Sequence, residues 1–308
     1  MSKLTISIPA RTSDNFGDPI NVFLKFISEV NSSETKEIEF DFDNCKFTSP
    51  FLIGGVAVIA NSNQENGGNN TWIYNKDNEY LSGYLKAISF PNGFDYSNVN
   101  IQTFDTIFEP YHEKNYIPIV CFPCGKTTQE NRVREKILSA INTIFKKQLK
   151  LEGDILEGVF YLIDELTQNI VDHSNSGKGI IFAQFYPSKN YMDVCIADYG
   201  KGLYQSYIDS GKHQPETTKE AMNYAVYGKS TKDIPESRGF GLSTSRKMLV
   251  EGLKGKFFLL SDDVFFVQTV EKKEVIQIPK VNKYKGCYIA LRIPLLQNKQ
   301  FSFYKYLE

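Results

Sequence analysis

The chain has 308 residues, 41% of them hydrophobic and 14% aromatic, which is the profile of a folded globular protein long enough for two domains. A formal net charge of −1 gives no basis for direct nucleic-acid binding or for adhesion to an anionic membrane. No apolar run is long enough to span a bilayer, the N-terminal MSKLTISIPARTSDNF lacks the layout of a signal peptide, and five cysteines form no even framework. A cytoplasmic setting is therefore expected.

In chain order, KLTISIPA alternates as a strand does, and PINVFLKFISEV has the spacing of an amphipathic helix. EIEFDF (37–42) predicts a second strand. Ser49 followed by Pro50 then predicts a helix start, with Ser49 as the cap and Pro50 where a missing N–H costs nothing. NNTWIYN predicts a third strand and NEYLSGYLKAISF another helix, so residues 1–110 are expected to form a small α/β domain.

Residues 111–127, with their prolines and turn residues, are expected to be a linker, and Cys121 and Cys124 within it to be packing residues. From 128 to 308 a second α/β domain is expected. It begins with helices over about 128–149 and 154–173 and strands in GIIFAQFYP and YMDVCIADYG. A loop-rich stretch follows (203–238), then a helix from about Leu242 to Leu253 and strands in KFFLLS, VFFVQTV and GCYIALRIP.

Three separated segments carry the polar residues of interest. In DELTQNIVDHS (164–174), Leu156, Val159, Ile163, Leu166 and Ile170 make the apolar stripe of the helix, while Glu165 and Asn169 lie side by side about 100° off its centre. That flank either faces solvent or presents an acid and an amide to a cleft. The second segment, IADYGKGL, brings Asp198, Gly200 and Gly202 off a strand; an Asp there can accept from an exocyclic amine, although a plain turn has the same letters. The third, SRGFGLSTSRKMLVEGL, puts Gly239, Gly241, Leu242 and Ser243 at a helix entry, a natural phosphate site or a simple cap. Lys229, Lys232 and Arg238 lie just upstream in a loop suited to closing over phosphates.

Taken in this order, the segments resemble the GHKL family of ATP-binding domains (Bergerat fold), which includes gyrase-type ATPases, histidine kinases and anti-sigma-factor serine kinases. The resemblance spans roughly 128–296. It implies a two-layer α/β sandwich and the cofactors ATP and Mg. It implies Glu165 as general base, Asn169 as Mg ligand through its amide oxygen, and Asp172 and His173 lining the nucleotide. Asp198 would read adenine with Gly200 and Gly202 beside it. Gly239, Gly241 and Leu242 would donate backbone N–H groups to phosphates, with Lys229, Arg238 and Ser243 nearby, under a lid formed by about 204–238. One departure is Cys287 in KGCYIALRIP, where the family often has Thr.

Residues 1–110 resemble, less specifically, a STAS-type domain, the fold of anti-sigma-factor antagonists. Thr48-Ser49 stands where relatives carry Asp-Ser, which makes Ser49 a candidate phosphoacceptor as well as a helix cap. The helix over 128–149 contains no His, so no histidine phosphoacceptor of the two-component kind is expected. The expected function is ATP- and Mg-dependent transfer of the γ-phosphate to a protein Ser or Thr in a partner-switching system. The alternative is a nucleotide-gated binding protein with slow hydrolysis. A protein substrate or partner is expected, and a homodimer is open.

Overall fold

The computed structural model describes residues 3–97, 99–229, 241–295 and 301–306. β1 (Leu4–Ser7), α1 (Asp18–Asn31), β2 (Glu37–Asp41), α2 (Pro50–Glu65), β3 (Asn69–Ile73) and α3 (Glu79–Ala87) alternate as the sequence rhythm predicts. The three strands pair in parallel and in chain order, with Phe40 opposite Trp72, so α1 and α2 are crossover connections. The cap read from the sequence forms: the Ser49 hydroxyl accepts the Leu52 N–H at 3.4 Å, and Pro50 opens α2.

After the short α4 (Phe104–Phe108) the chain enters a seven-stranded sheet. Its strands are β4 (Tyr116–Pro123), β5 (Lys178–Tyr186), β6 (Tyr191–Ala197), β7 (Lys256–Asp262), β8 (Val264–Gln268), β9 (Lys273–Gln277) and β10 (Tyr284–Pro294). They lie in the order β4-β5-β6-β10-β7-β8-β9, and every neighbouring pair is antiparallel. Residues 111–127 are thus no bare linker, because they supply edge strand β4. Its prolines hid it. Pro118 sits where the register shifts between Ile117 and Val120, and an irregular edge strand can spare a ladder donor. β9, at the other edge, was missed because KEVIQ is mostly polar, as an exposed edge can be.

Among the described residues five α-helices follow β4: α5 (Thr128–Leu149), α6 (Gly153–His173), α7 (Gly202–Ser210), α8 (Thr218–Val226) and α9 (Gly241–Lys247), the last running into a π turn over Met248–Gly252. α5 begins with a reciprocal capping box between Thr127 and Glu130. The stretch expected as a loop-rich lid instead carries α7 and α8. A local signal was present in TTKE, since the Thr217 hydroxyl accepts the Glu220 N–H at 3.1 Å.

Both faces of the large sheet are buried, and alternate residues divide between two cores. Ile181, Ala183, Val194, Ile196, Ile289 and Leu291 face the layer of α5–α9. Ile180, Phe182, Cys195, Ala197, Tyr288 and Ala290 face α1 and α2, which also bury β1 and β2. The layers therefore run three-stranded sheet, α1 and α2, seven-stranded sheet, α5–α9. Neither face of the large sheet is open, so the expected two-layer C-terminal sandwich is extended by the N-terminal helices. The α/β class expected from the sequence holds.

Two glycines explain how α2 fits between the sheets. A Cβ on Gly54 would stand 2.6 Å from Cys195 Sγ, and one on Gly55 2.5 Å from the Phe23 ring. The helix sheds side chains where it touches β6 and α1, at a propensity cost of about 1 kcal/mol per glycine. Among the described residues no helix is long and apolar enough to cross a membrane.

Candidate functional site

α6 is amphipathic as its sequence predicts. Leu156, Val159, Leu162, Ile163, Leu166 and Ile170 are buried against the sheet and its neighbouring helices, and Glu165 and Asn169 are half-buried on the flank. The flank does not face open solvent. α9 packs along α6, and its first residue lies on the two polar side chains. A Cβ on Gly241 would overlap Glu165 Oε2 and come within 3.5 Å of Asn169 Nδ2. With no side chain at 241 the backbone of α9 lies directly against the acid and the amide, where a larger residue would make the Glu165 carboxylate shift.

Asn169 Nδ2 is buried and without a hydrogen-bond partner. Leaving such a donor unsatisfied costs about 1–3 kcal/mol, so it is a group that a bound anion would complete. Asp164, one residue before Glu165, is pushed up to about 6, chiefly by burial, with the Asn142 side chain opposing and the Glu165 charge adding. A carboxyl that gives up its proton near neutrality thus stands beside the candidate base.

α9 is held in place from behind. Arg246 is almost fully buried; its Nε donates to Val226 O and its Nη1 to Gln268 Oε1, both at 2.7 Å. These bonds tie α9 to the end of α8 and to β8. Ser243 is buried and Leu242 half-buried on the same helix. Arg238 and Gly239 lie outside the described residues. Lys229 stands apart from the flank: it is exposed, with its ammonium 3.8 Å from the Tyr224 ring centroid.

The second segment meets the C-terminal end of α6. Lys201 N–H donates to Ser174 O at 2.7 Å, and a Cβ on Gly200 would run into that same carbonyl. Gly202 has φ +76°, a conformation that favours glycine, and α7 starts there. His173 Nδ1 pairs with Ser206 Oγ of α7 at 2.9 Å. Asp172 accepts from Gln168 Nε2 at 3.0 Å and lies 3.8 Å from Lys126 Nζ, a cation the sequence motifs did not pick out. All three segments therefore converge on α6.

Asp198 has no exposure at all. Its carboxylate accepts the Gly200 N–H at 2.7 Å and the Cys287 N–H at 3.0 Å, while its own N–H donates to Cys287 O. Burial outweighs those two donors and pushes its pKa up to about 7. Cys287 therefore serves Asp198 through its backbone, and its thiol plays no part in that contact. Gly286, at φ +91°, brings this backbone up to Asp198, and Tyr284 donates its hydroxyl to Asp198 O at 2.6 Å. Ser261 Oγ accepts the Leu203 N–H and donates to Gly286 O, both at 2.9 Å. Sequence reasoning singled out Cys287 but missed Ser261, Tyr284 and Gly286, because only strand pairing brings these residues beside 198.

Two other candidates change standing. Ser49 is 6% exposed and its hydroxyl is engaged as the α2 cap, so it is shielded from a phosphoryl donor in this conformation. Cys121 and Cys124 are free and buried, each pushed up to about 11 by burial, which suits packing rather than redox chemistry. Among the described residues no group of three or more His, Cys, Asp or Glu side chains is placed to hold a metal. A magnesium ion at Asn169 would take its other ligands from a nucleotide and water. Compared with protein-family models, curated proteins and solved structures, the chain matches none.

Proposed function

We propose that the chain binds ATP with Mg and directs phosphoryl transfer to a protein Ser or Thr, as a GHKL-type regulator joined to a STAS-like unit. The observation that carries this reading is the seating of Gly241 on Glu165 and Asn169, with Gly200 and Lys201 against the end of the same helix. Residues separated by some seventy positions meet on one polar flank.

The phosphate end fits the group. Asn169 offers an amide oxygen for a hard cation and an unpartnered N–H for a phosphate oxygen, and Gly241 leaves its backbone bare beside Glu165. Bound Mg–ATP supplies a transferable γ-phosphoryl group. Glu165 would accept the proton of the attacking hydroxyl or orient a water. The base end is closed, because both Asp198 oxygens already accept backbone N–H groups and the side chain is buried. Adenine recognition by Asp198 therefore requires the 198–203 segment to open.

That closure favours a second reading, a nucleotide-gated switch with slow turnover. Tyr199, between Asp198 and Gly200, donates its hydroxyl to Glu65 on α2 at 2.5 Å, so opening the segment would be felt by the N-terminal unit. The shielding of Ser49 directs either activity towards a substrate or partner in trans.

The test is incubation of the full chain with γ-labelled ATP and Mg, with and without candidate partner proteins, comparing wild type with Glu165→Gln and Asn169→Ala. Protein-bound label that disappears in Glu165→Gln supports the kinase. Tight nucleotide binding without label or released phosphate supports the switch. Failure of the wild type to bind ATP removes both.

A further inference from the structure

The glycine segment has a second side. On the face of the sheet opposite α6, α1 and α2 meet the segment joining β9 to β10 and leave a groove of about 480 Å³, within the range of small-molecule sites. The helices line it with the apolar Ile27, Val30, Val58 and Ile59 and with the polar Asn31, Ser62 and Asn63. Tyr199 and Tyr284 line it from the sheet side. Three lysines, Lys280, Lys283 and Lys285, also line it.

The rim is built rather than loose. Asn31 Nδ2 donates to both Val281 O and Lys283 O at 2.8 Å, and Asn282 Nδ2 donates to Leu24 O at 2.8 Å, which clamps the rim segment onto α1. Lys283 pairs with Asp262 at 3.2 Å. Lys280 and Lys285 are exposed and have no carboxylate partner among the described residues. The nearest acid on the α2 wall, Glu65, is engaged by the Tyr199 hydroxyl. A partly apolar cavity lined by two lysines without a carboxylate partner among the described residues complements a molecule with an apolar body and an anionic head.

We propose that this groove binds a small amphipathic anion, a carboxylate or phosphate carried on an aliphatic body, and that its occupancy is transmitted to Asp198. The path is short. Tyr284 lines the groove and donates its hydroxyl to Asp198 O, and Tyr199 lines it as the residue next to Asp198. A ligand that displaces the Tyr199 hydroxyl from Glu65, or packs on the Tyr284 ring, acts on two of the side chains bonded at the start of the 198–203 segment. The site does not depend on the nucleotide reading, and its test contains no nucleotide.

Decanoate, decyl phosphate and neutral decanol, each below its aggregation limit, would be titrated into the full chain by calorimetry. At least one anion is expected to bind once per chain, at least tenfold tighter than decanol. The preferred anion distinguishes a carboxylate from a phosphate ligand. The double variant Lys280→Gln/Lys285→Gln is expected to lose that tenfold preference while keeping the wild-type circular dichroism. Ser62→Trp, which fills the groove from α2, is expected to abolish binding. Hydrogen exchange over 198–203 is expected to change at least threefold on saturation with the preferred anion. Absence of saturable binding, or binding indifferent to both the lysine pair and the Trp, overturns the site. Binding that leaves 198–203 exchange unchanged overturns the transmission.

Discussion

α2 and α6 pack on opposite faces of one sheet and solve the same problem in different ways. α2 is apolar all round; every residue from Pro50 to Asn61 is buried between two sheets, and Gly54 and Gly55 permit its closest contacts. α6 is apolar on one stripe only, and its polar flank carries Glu165 and Asn169 under Gly241. A helix buried on all sides has no position to spare for chemistry. A helix buried on one face does, and its polar flank becomes a site when another backbone closes over it. Glycine serves contact in both helices, against hydrocarbon and sulfur at α2 and against a carboxylate and an amide at α6.

The sharpest way to break this contrast is to substitute on each helix and measure both stability and turnover. Glu165→Gln is expected to lower phosphoryl transfer or ATP hydrolysis by about a hundredfold or more, the usual contribution of a general base. The same change is expected to leave urea stability within about 1 kcal/mol, since the side chain is not core. Equal losses of both would make α6 scaffolding like α2. Gly54→Leu is expected to do the reverse: overpacking against Cys195 should cost about 3 kcal/mol in urea unfolding. If stability is unchanged, the close seating of α2 on β6 is wrong.

A smaller effect follows from Asp198. Its folded pKa of about 7 lies above the ordinary 3.8, so the folded chain holds the extra proton between those values. The Asp198 contribution to stability is therefore fully present below pH 3.8 and is lost as pH rises to about 7. Asp198→Asn should flatten the pH dependence of unfolding over that window, whatever its effect at a single pH. A variant with an unaltered slope would place the carboxylate in water rather than in the core. The smallest expected effect marks the surface limit of the contrast. Gly83→Ala, in α3 with nothing within 4 Å of the new Cβ, should stabilise by about 0.5–1 kcal/mol, whereas Ala at Gly54 or Gly55 of α2 should destabilise.

Local chemistry made much of this molecule legible in the sequence. The Ser49-Pro50 start of α2 and the apolar stripe of α6 depend on neighbours within a few residues, and each forms where it was read; the Thr127 and Glu130 capping box of α5 is equally local but was not read. The two strands next to β10 and β4, KGIIFAQFY and YMDVCIA, carry continuous apolar runs that imply burial on both faces without saying what covers them. Elements that rely on distant partners escaped. β4 looked like a linker because an edge strand tolerates proline, and β9 looked like a loop because an edge strand tolerates charge.

The sequence by itself determined which residues prefer helix or strand, where several helices begin, and that Glu165 and Asn169 share a flank, because those preferences are set within one or two turns of chain. Only the tertiary structure decided that Gly241 rests on that flank, that Asp198 is sealed by the Cys287 backbone, and that Ser49 is buried. Such contacts join residues tens of positions apart, and what fixes them is the burial of two sheet faces at once rather than any local preference.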